Sequence, residues 1–109
     1  MSYDVKTTPR FDKELKRLVK KYPSLKNEFA ALVNVLAEKP IQGIDLGSNA
    51  YKIRLSIASK NKGKSGGARV ISVVIHTDNE VVLVSIFDKS EKENIPDAEL
   101  KQLIKSATL

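Results

Sequence analysis

The stretch from Lys62 to Ile71 reads K-G-K-S-G-G-A-R-V-I, and its glycine, lysine and serine residues are of the types that grip phosphate. A nucleotide-binding loop of that kind needs G-x-x-x-x-G-K-[ST] after a strand and before a helix, whose N-terminal amides complete the phosphate cradle. Gly63, Lys64 and Ser65 supply the end of the pattern, but Ala58 stands where the first glycine belongs, and the residues that follow are those of a strand. With the last strand read as ending at Phe87, no downstream strand is expected to end in an aspartate suited to hold magnesium. The stretch is therefore not read as a nucleotide loop, and its cations need another partner.

Charge points to a polymer. Between Leu46 and Thr77 the cations are Lys52, Arg54, Lys60, Lys62, Lys64 and Arg69, with no acidic residue among them, while the other 13 basic residues balance the chain's 13 acidic ones. A single-sign window suits a polyanion, nucleic acid first and an acidic protein surface second, and charge alone also allows a solvated basic loop. Lysines on a loop carry no base readout, so Lys60, Lys62 and Lys64 are expected to meet a nucleic-acid backbone non-specifically. Arg69 leads an otherwise apolar strand, where burying a cation without an anionic partner is costly. Ser65, Gly66 and Gly67 would let the chain turn back and deliver it.

The elements that must hold these cations can be read from periodicity. Thr8 and Pro9 suit an N-cap and first helical position, and Phe11, Leu15, Leu18 and Tyr22 follow at helical spacing. Pro23 stops that helix, Ser24 is placed to cap the next, and Leu25, Phe29, Leu32, Val33 and Leu36 form a second stripe before Pro40. These two helices form a hairpin with a very short turn. After a glycine-containing loop, Y-K-I-R-L-S-I-A alternates strictly: Tyr51, Ile53, Leu55 and Ile57 share one side, Lys52 and Arg54 the other. Ala68 to His76 and Val81 to Phe87 are β-branched runs joined by T-D-N-E, hence adjacent antiparallel strands. Tyr3 to Lys6 could add a short strand, and Pro96 and Asp97 open a last helix bearing Leu100, Leu103 and Ile104. The fold class is α+β: an N-terminal helical hairpin on a mainly antiparallel sheet of three to four strands, with a short C-terminal helix. Residues 1–109 are expected to form one domain.

Several functions are disfavoured by composition. There is no cysteine and one histidine, so thiolate or imidazole metal sites are excluded and no cofactor is expected. No apolar run approaches the ~18 residues of a membrane span, and M-S-Y-D-V-K lacks a signal-peptide core, so a cytoplasmic chain is expected.

The string G-K-S-G-G-A-R-V-I, followed by a strand and then D-K-S-E-K-E-N-I-P-D-A-E-L, resembles the RelE/ParE superfamily of bacterial type II toxins, and within it the HigB-like branch of RelE toxins. The likeness covers nearly the whole chain. It implies a RelE-like microRNase fold, a cognate antitoxin as partner, and ribosome-dependent, metal-independent cleavage of mRNA that inhibits translation. The superfamily also contains ParE-like proteins, and the alternative it implies is a DNA gyrase poison without nuclease activity. By the resemblance, Lys52 and Arg54 match a strand with two functional lysines, Arg69 matches a phosphate-contacting arginine, and Lys89 and Lys92 fall in a C-terminal basic segment. The family's C-terminal tyrosine has no counterpart, since no tyrosine follows Tyr51; Ser90 stands where an arginine is found, and His76 is the only histidine.

RNA brings its own nucleophile, the 2′-hydroxyl, so cleavage asks for in-line geometry, a base, charge stabilisation on the phosphorane and an acid for the 5′ oxygen. Arg69 and Arg54 could clamp the non-bridging oxygens. Lys52, crowded by cations, could serve as base if its pKa is lowered, and Lys89 or Lys92 as acid. Glu91 is expected to orient Lys89, Lys92 or Arg69 as an ion-pair partner. His76 is expected at the surface and Phe87 in the core.

Overall fold

A computed structural model describes residues 2–60 and 67–108, the side chain of Lys60 excepted. Three helices and five strands follow in the order β1 (Asp4–Thr7), α1 (Pro9–Lys21), α2 (Leu25–Glu38), β2 (Ile44–Gly47), β3 (Ala50–Leu55), β4 (Ala68–Ile75), β5 (Glu80–Asp88) and α3 (Asp97–Ser106). The strands form one sheet in the order β1-β5-β4-β3-β2. The fold class expected from the sequence is found, with one correction to the sheet. Among the described residues it has five strands rather than three or four; it is mainly antiparallel as expected, with β1 alone lying parallel to its neighbour β5.

The additional strand is β2, which lies within the stretch read as a loop. It pairs antiparallel with β3 through Ile44 with Lys52 and Asp45 with Tyr51. Ser48 and Asn49, both at positive φ (54° and 63°), form the tight reversal between them, as a two-residue hairpin turn requires. Its four residues, I-D-L-G, are too few for their alternation to stand out from a loop, so the strand leaves little trace in the sequence.

One face of the sheet takes the helical hairpin. Phe11, Leu18, Leu25, Leu32 and Leu36 pack on Tyr51, Ile53, Val70, Val74, Val81, Leu83 and Ile86. Thr8 caps α1, its hydroxyl accepting from the Phe11 amide at 3.2 Å. Ser24 precedes α2 but does not cap it through its side chain. Its hydroxyl instead lies 2.8 Å from that of Ser59 and accepts from the Ser59 amide at 2.9 Å, while Glu28 accepts from the Ala58 amide at 2.7 Å. The start of the basic connection is thereby fastened to α2.

The other face is shared. α3 covers part of it, with Leu103 and the preceding Ile95 packed among Ile71, Val73, Val82, Val84 and Phe87. Because both faces of β4 and β5 are covered, these strands read as continuous apolar runs. A bulge interrupts their pairing after Ile71, and Glu14 of α1 reaches it, accepting from the Ser85 hydroxyl at 2.9 Å and the Ile86 amide at 3.2 Å. What α3 leaves open on this face is where the cations lie.

Candidate nucleic-acid cleft

The alternation of β3 sends Tyr51 and Ile53 into the helix-facing core, so Lys52 and Arg54 stand on the opposite face. The antiparallel register with β4 then pairs Arg54 with Arg69 and Lys52 with Ile71. Sequence could not fix that register; the structure does, and it places the two arginines directly across from each other.

Gly67 makes the approach possible. A Cβ built there would lie 2.4 Å from the Leu55 carbonyl oxygen, so only glycine lets the chain come this close to β3 two residues before Arg69. At the outer side of β3, a Cβ on Gly43 would lie 2.1 Å from the Lys52 carbonyl oxygen, and its φ is +85°. Both close approaches border cationic residues.

These elements enclose a cleft of about 430 Å³ lined by Gln42, Gly43, Ile44, Lys52, Ile53, Arg54, Arg69, Lys89 and Glu93. Four of the five residues named above as catalytic candidates thus meet in one place: Lys52, Arg54, Arg69 and Lys89. Lys92 does not line the cleft. Its ammonium lies 3.7 Å from Glu99 of α3 and 5.8 Å from the centre of the Phe87 ring, and Phe87 itself is buried as expected. Lys62 and Lys64, together with the side chain of Lys60, lie outside the described residues.

Arg69 is 7% exposed, and among the described residues its guanidinium donates to the Ala68 carbonyl at 3.2 Å with no carboxylate within ion-pair distance. Burial, and then the charge of Arg54, push it below the usual arginine range. A buried cation opposed by a second cation is a standing attraction for an anion.

Lys89 is held differently. Its amide donates to the Gly67 carbonyl at 3.2 Å. Asp88 beside it is fully buried, accepting from the Tyr22 hydroxyl at 2.8 Å and from the amide and hydroxyl of Ser90 at 2.9 and 2.8 Å. The amides of Glu91 and Lys92 close on the Asp88 carbonyl at 3.0 Å, shaping a tight turn. Contrary to the expectation above, Glu91 is not the ion-pair partner of Lys89, Lys92 or Arg69. It points to α1, 2.6 Å from Arg17 and 3.4 Å from Lys21, because the turn carries it round to that helix. Those cations hold its carboxyl below the usual range.

His76 sits beyond the other end of β4 from Arg69, edge-on to the Tyr3 ring with Nδ1 3.5 Å from the tyrosine hydroxyl. Gln42, Gly43, Ile44 and Glu93 are cleft residues that sequence reasoning missed. A paired β2 would have signalled the first three, and Glu93 is one acid in a mixed-charge run. Among the described residues no group of three or more His, Cys, Asp or Glu is placed to hold a metal ion, and no helix is long and apolar enough to cross a membrane.

A family model described as the RelE toxin of the RelE/RelB toxin–antitoxin system matches residues 11–109. The chain belongs to the RelE family. No curated protein sequence matches it. Solved structures extend the RelE likeness to the fold. An arginine-to-alanine double mutant of the E. coli toxin RelE in the free state is 22% identical, with a TM-score of 0.59, over 99% of this chain and 96% of that one. The isolated E. coli RelE toxin is 21% identical, with a TM-score of 0.55, over 95% and 98%. The intact E. coli RelBE toxin–antitoxin complex is 26% identical, with a TM-score of 0.52, over 78% of this chain and 94% of its counterpart.

Proposed function

We propose that this RelE-family chain is a toxin that cleaves mRNA on the ribosome, without a metal, and so stops translation. The observation that supports this reading above the others is the convergence of Lys52, Arg54, Arg69 and Lys89 on one cleft. Cleavage through the 2′-hydroxyl builds negative charge on a phosphorane, and preorganised cations in a partly desolvated site stabilise that charge more than water does. Arg69 would fork onto two non-bridging oxygens, with Arg54 across the strand as a second clamp. Lys52 adds charge beside the attacking oxygen, and Lys89 protonates the 5′ leaving oxygen. Lys60, Lys62 and Lys64 would hold the message along its backbone, without sequence preference.

The partner that silences such a toxin is a cognate antitoxin, a reading supported by the RelE/RelB family description and the likeness to the E. coli RelBE complex. An acidic segment laid over the cleft would neutralise it directly.

Inducible expression followed by mapping of mRNA 5′ ends tests the function. The expected result is codon-linked cuts in translated messages bearing 5′-hydroxyl ends, absent when Lys52 and Arg69 are both replaced by alanine. Growth inhibition with intact mRNA would overturn the reading, and gyrase-linked DNA breaks would install the ParE-like alternative in its place.

A further inference from the structure

We propose that Glu93 is the general base of the cleft, removing the proton from the attacking 2′-hydroxyl; this rests on the nuclease reading above. The cleft lining brings together four cations and one carboxylate, and that carboxylate is Glu93. A base must offer a free lone pair at working pH. Lysine and arginine side chains are protonated near neutrality and accept nothing in that state, whereas a carboxylate offers two acceptor oxygens.

Three other carboxylates between Asp88 and Glu99 are committed, and Asp97, which opens α3, does not line the cleft. Asp88 receives Tyr22 and Ser90, Glu91 receives Arg17 and Lys21, and Glu99 receives Arg10 and Lys92. Among the described residues no ion pair engages Glu93, and it is exposed. The backbone that carries it is fixed on both sides nonetheless. The Lys92 amide donates to the Asp88 carbonyl at 3.0 Å, and Ile95 is buried at 7% exposure among residues that pack with α3. An uncommitted carboxylate on an anchored segment, facing a cationic phosphate site, has the placement a base needs.

In the step, a Glu93 carboxylate oxygen takes the 2′-hydroxyl proton as the 2′ oxygen forms its bond to phosphorus. The bond from phosphorus to the 5′ oxygen breaks, its electron pair leaves with that oxygen, and Lys89 supplies the proton that completes the 5′-hydroxyl. The other product is a 2′,3′-cyclic phosphate. Solvent then takes the proton from Glu93 and restores the one lost by Lys89.

Glu93 is also the one cleft group that repels RNA. A base therefore differs from a binding residue in its kinetic signature: its loss lowers kcat while KM stays level or falls. The test measures cleavage of mRNA on programmed ribosomes by the unaltered chain, Glu93→Gln and Glu93→Ala, with and without added formate, alongside thermal unfolding. The expected result is a fall in kcat of about 10²-fold or more in both variants, within the range for general base catalysis, with no rise in KM and an unchanged Tm. Formate should restore part of the Glu93→Ala rate in a concentration-dependent way. A Glu93→Gln variant that cuts at the full rate, a loss expressed in KM, or a Glu93→Ala variant that formate does not rescue would each overturn the assignment. Absence of cleavage by the unaltered chain would overturn the nuclease reading itself, a distinct result.

Discussion

Arg54 and Arg69 stand opposite each other on neighbouring strands, and Arg69 is buried there with no carboxylate partner among the described residues. In the free protein this arrangement opposes folding, because a desolvated guanidinium faces a like charge. It is tolerable where an anion is to be bound, since strain of this kind is commonly concentrated at functional sites.

Arg69→Met should therefore separate stability from activity. Replacing a poorly compensated buried charge with an apolar side chain of similar length is often stabilising. A gain of about 1 kcal/mol would raise the midpoint of thermal unfolding by roughly 4 °C in a domain of this size. Cleavage on programmed ribosomes should fall about 10²-fold or more, as for loss of a donor to a developing oxyanion. A lowered Tm would show that Arg69 stabilises the free fold after all.

Three glycines at the cleft and sheet edge should rank by what a methyl group would meet. Gly43→Ala and Gly67→Ala would drive a Cβ to 2.1 and 2.4 Å from backbone oxygens, and backbone cannot move aside as a side chain can. Each is expected to cost about 2 kcal/mol or more. Gly47→Ala meets nothing within 4 Å but keeps a φ of +87°, so about 1 kcal/mol is expected from the left-handed backbone alone. Urea unfolding of the three variants checks the order, and equal losses would mean that the close approaches relax freely.

Tyr22→Phe removes one donor from the buried Asp88 carboxylate. A loss of about 1–3 kcal/mol is expected for a buried acceptor left short of a partner. Because Asp88 also shapes the turn bearing Lys89, its amides should exchange hydrogen faster from Lys89 to Lys92 than across β4. Uniform acceleration in both places would instead indicate a global effect.

The pH dependence follows from Glu99, whose carboxyl is held low chiefly by the hydrogen bond from Arg10, with Lys92 assisting and burial opposing. A carboxylate with a depressed folded value stabilises above its unfolded value, near 4.5, and that contribution is lost as pH falls through the lower folded value. Both partners are partly exposed, so the contribution should stay below about 1 kcal/mol. Glu99→Gln should flatten the acid side of a Tm-against-pH curve below about pH 4.5 and leave its neutral side nearly level. An unchanged acid limb would show that the pair is fully screened.

Much of this protein was legible without coordinates. Phe11, Leu18, Leu25 and Leu36 recur at helical spacing, and each is fully buried. The alternation of Tyr51 to Leu55 placed Lys52 and Arg54 on one face, because a strand's period of two is set by local backbone geometry. The basic window without an acid, and the failure of the glycine stretch as a nucleotide loop, were likewise properties of the chain read in order. Which cations meet was a different kind of fact. The facing of Arg54 and Arg69 depends on register between strands joined by a long connection, and the arrival of Lys89 and Glu93 depends on β5 pairing and on the anchors at Asp88 and Ile95. The parallel docking of β1 on β5 joins segments more than seventy residues apart. Local sequence sets which way each side chain points; only the packed sheet, through non-local pairing and buried anchors, decides what it points at.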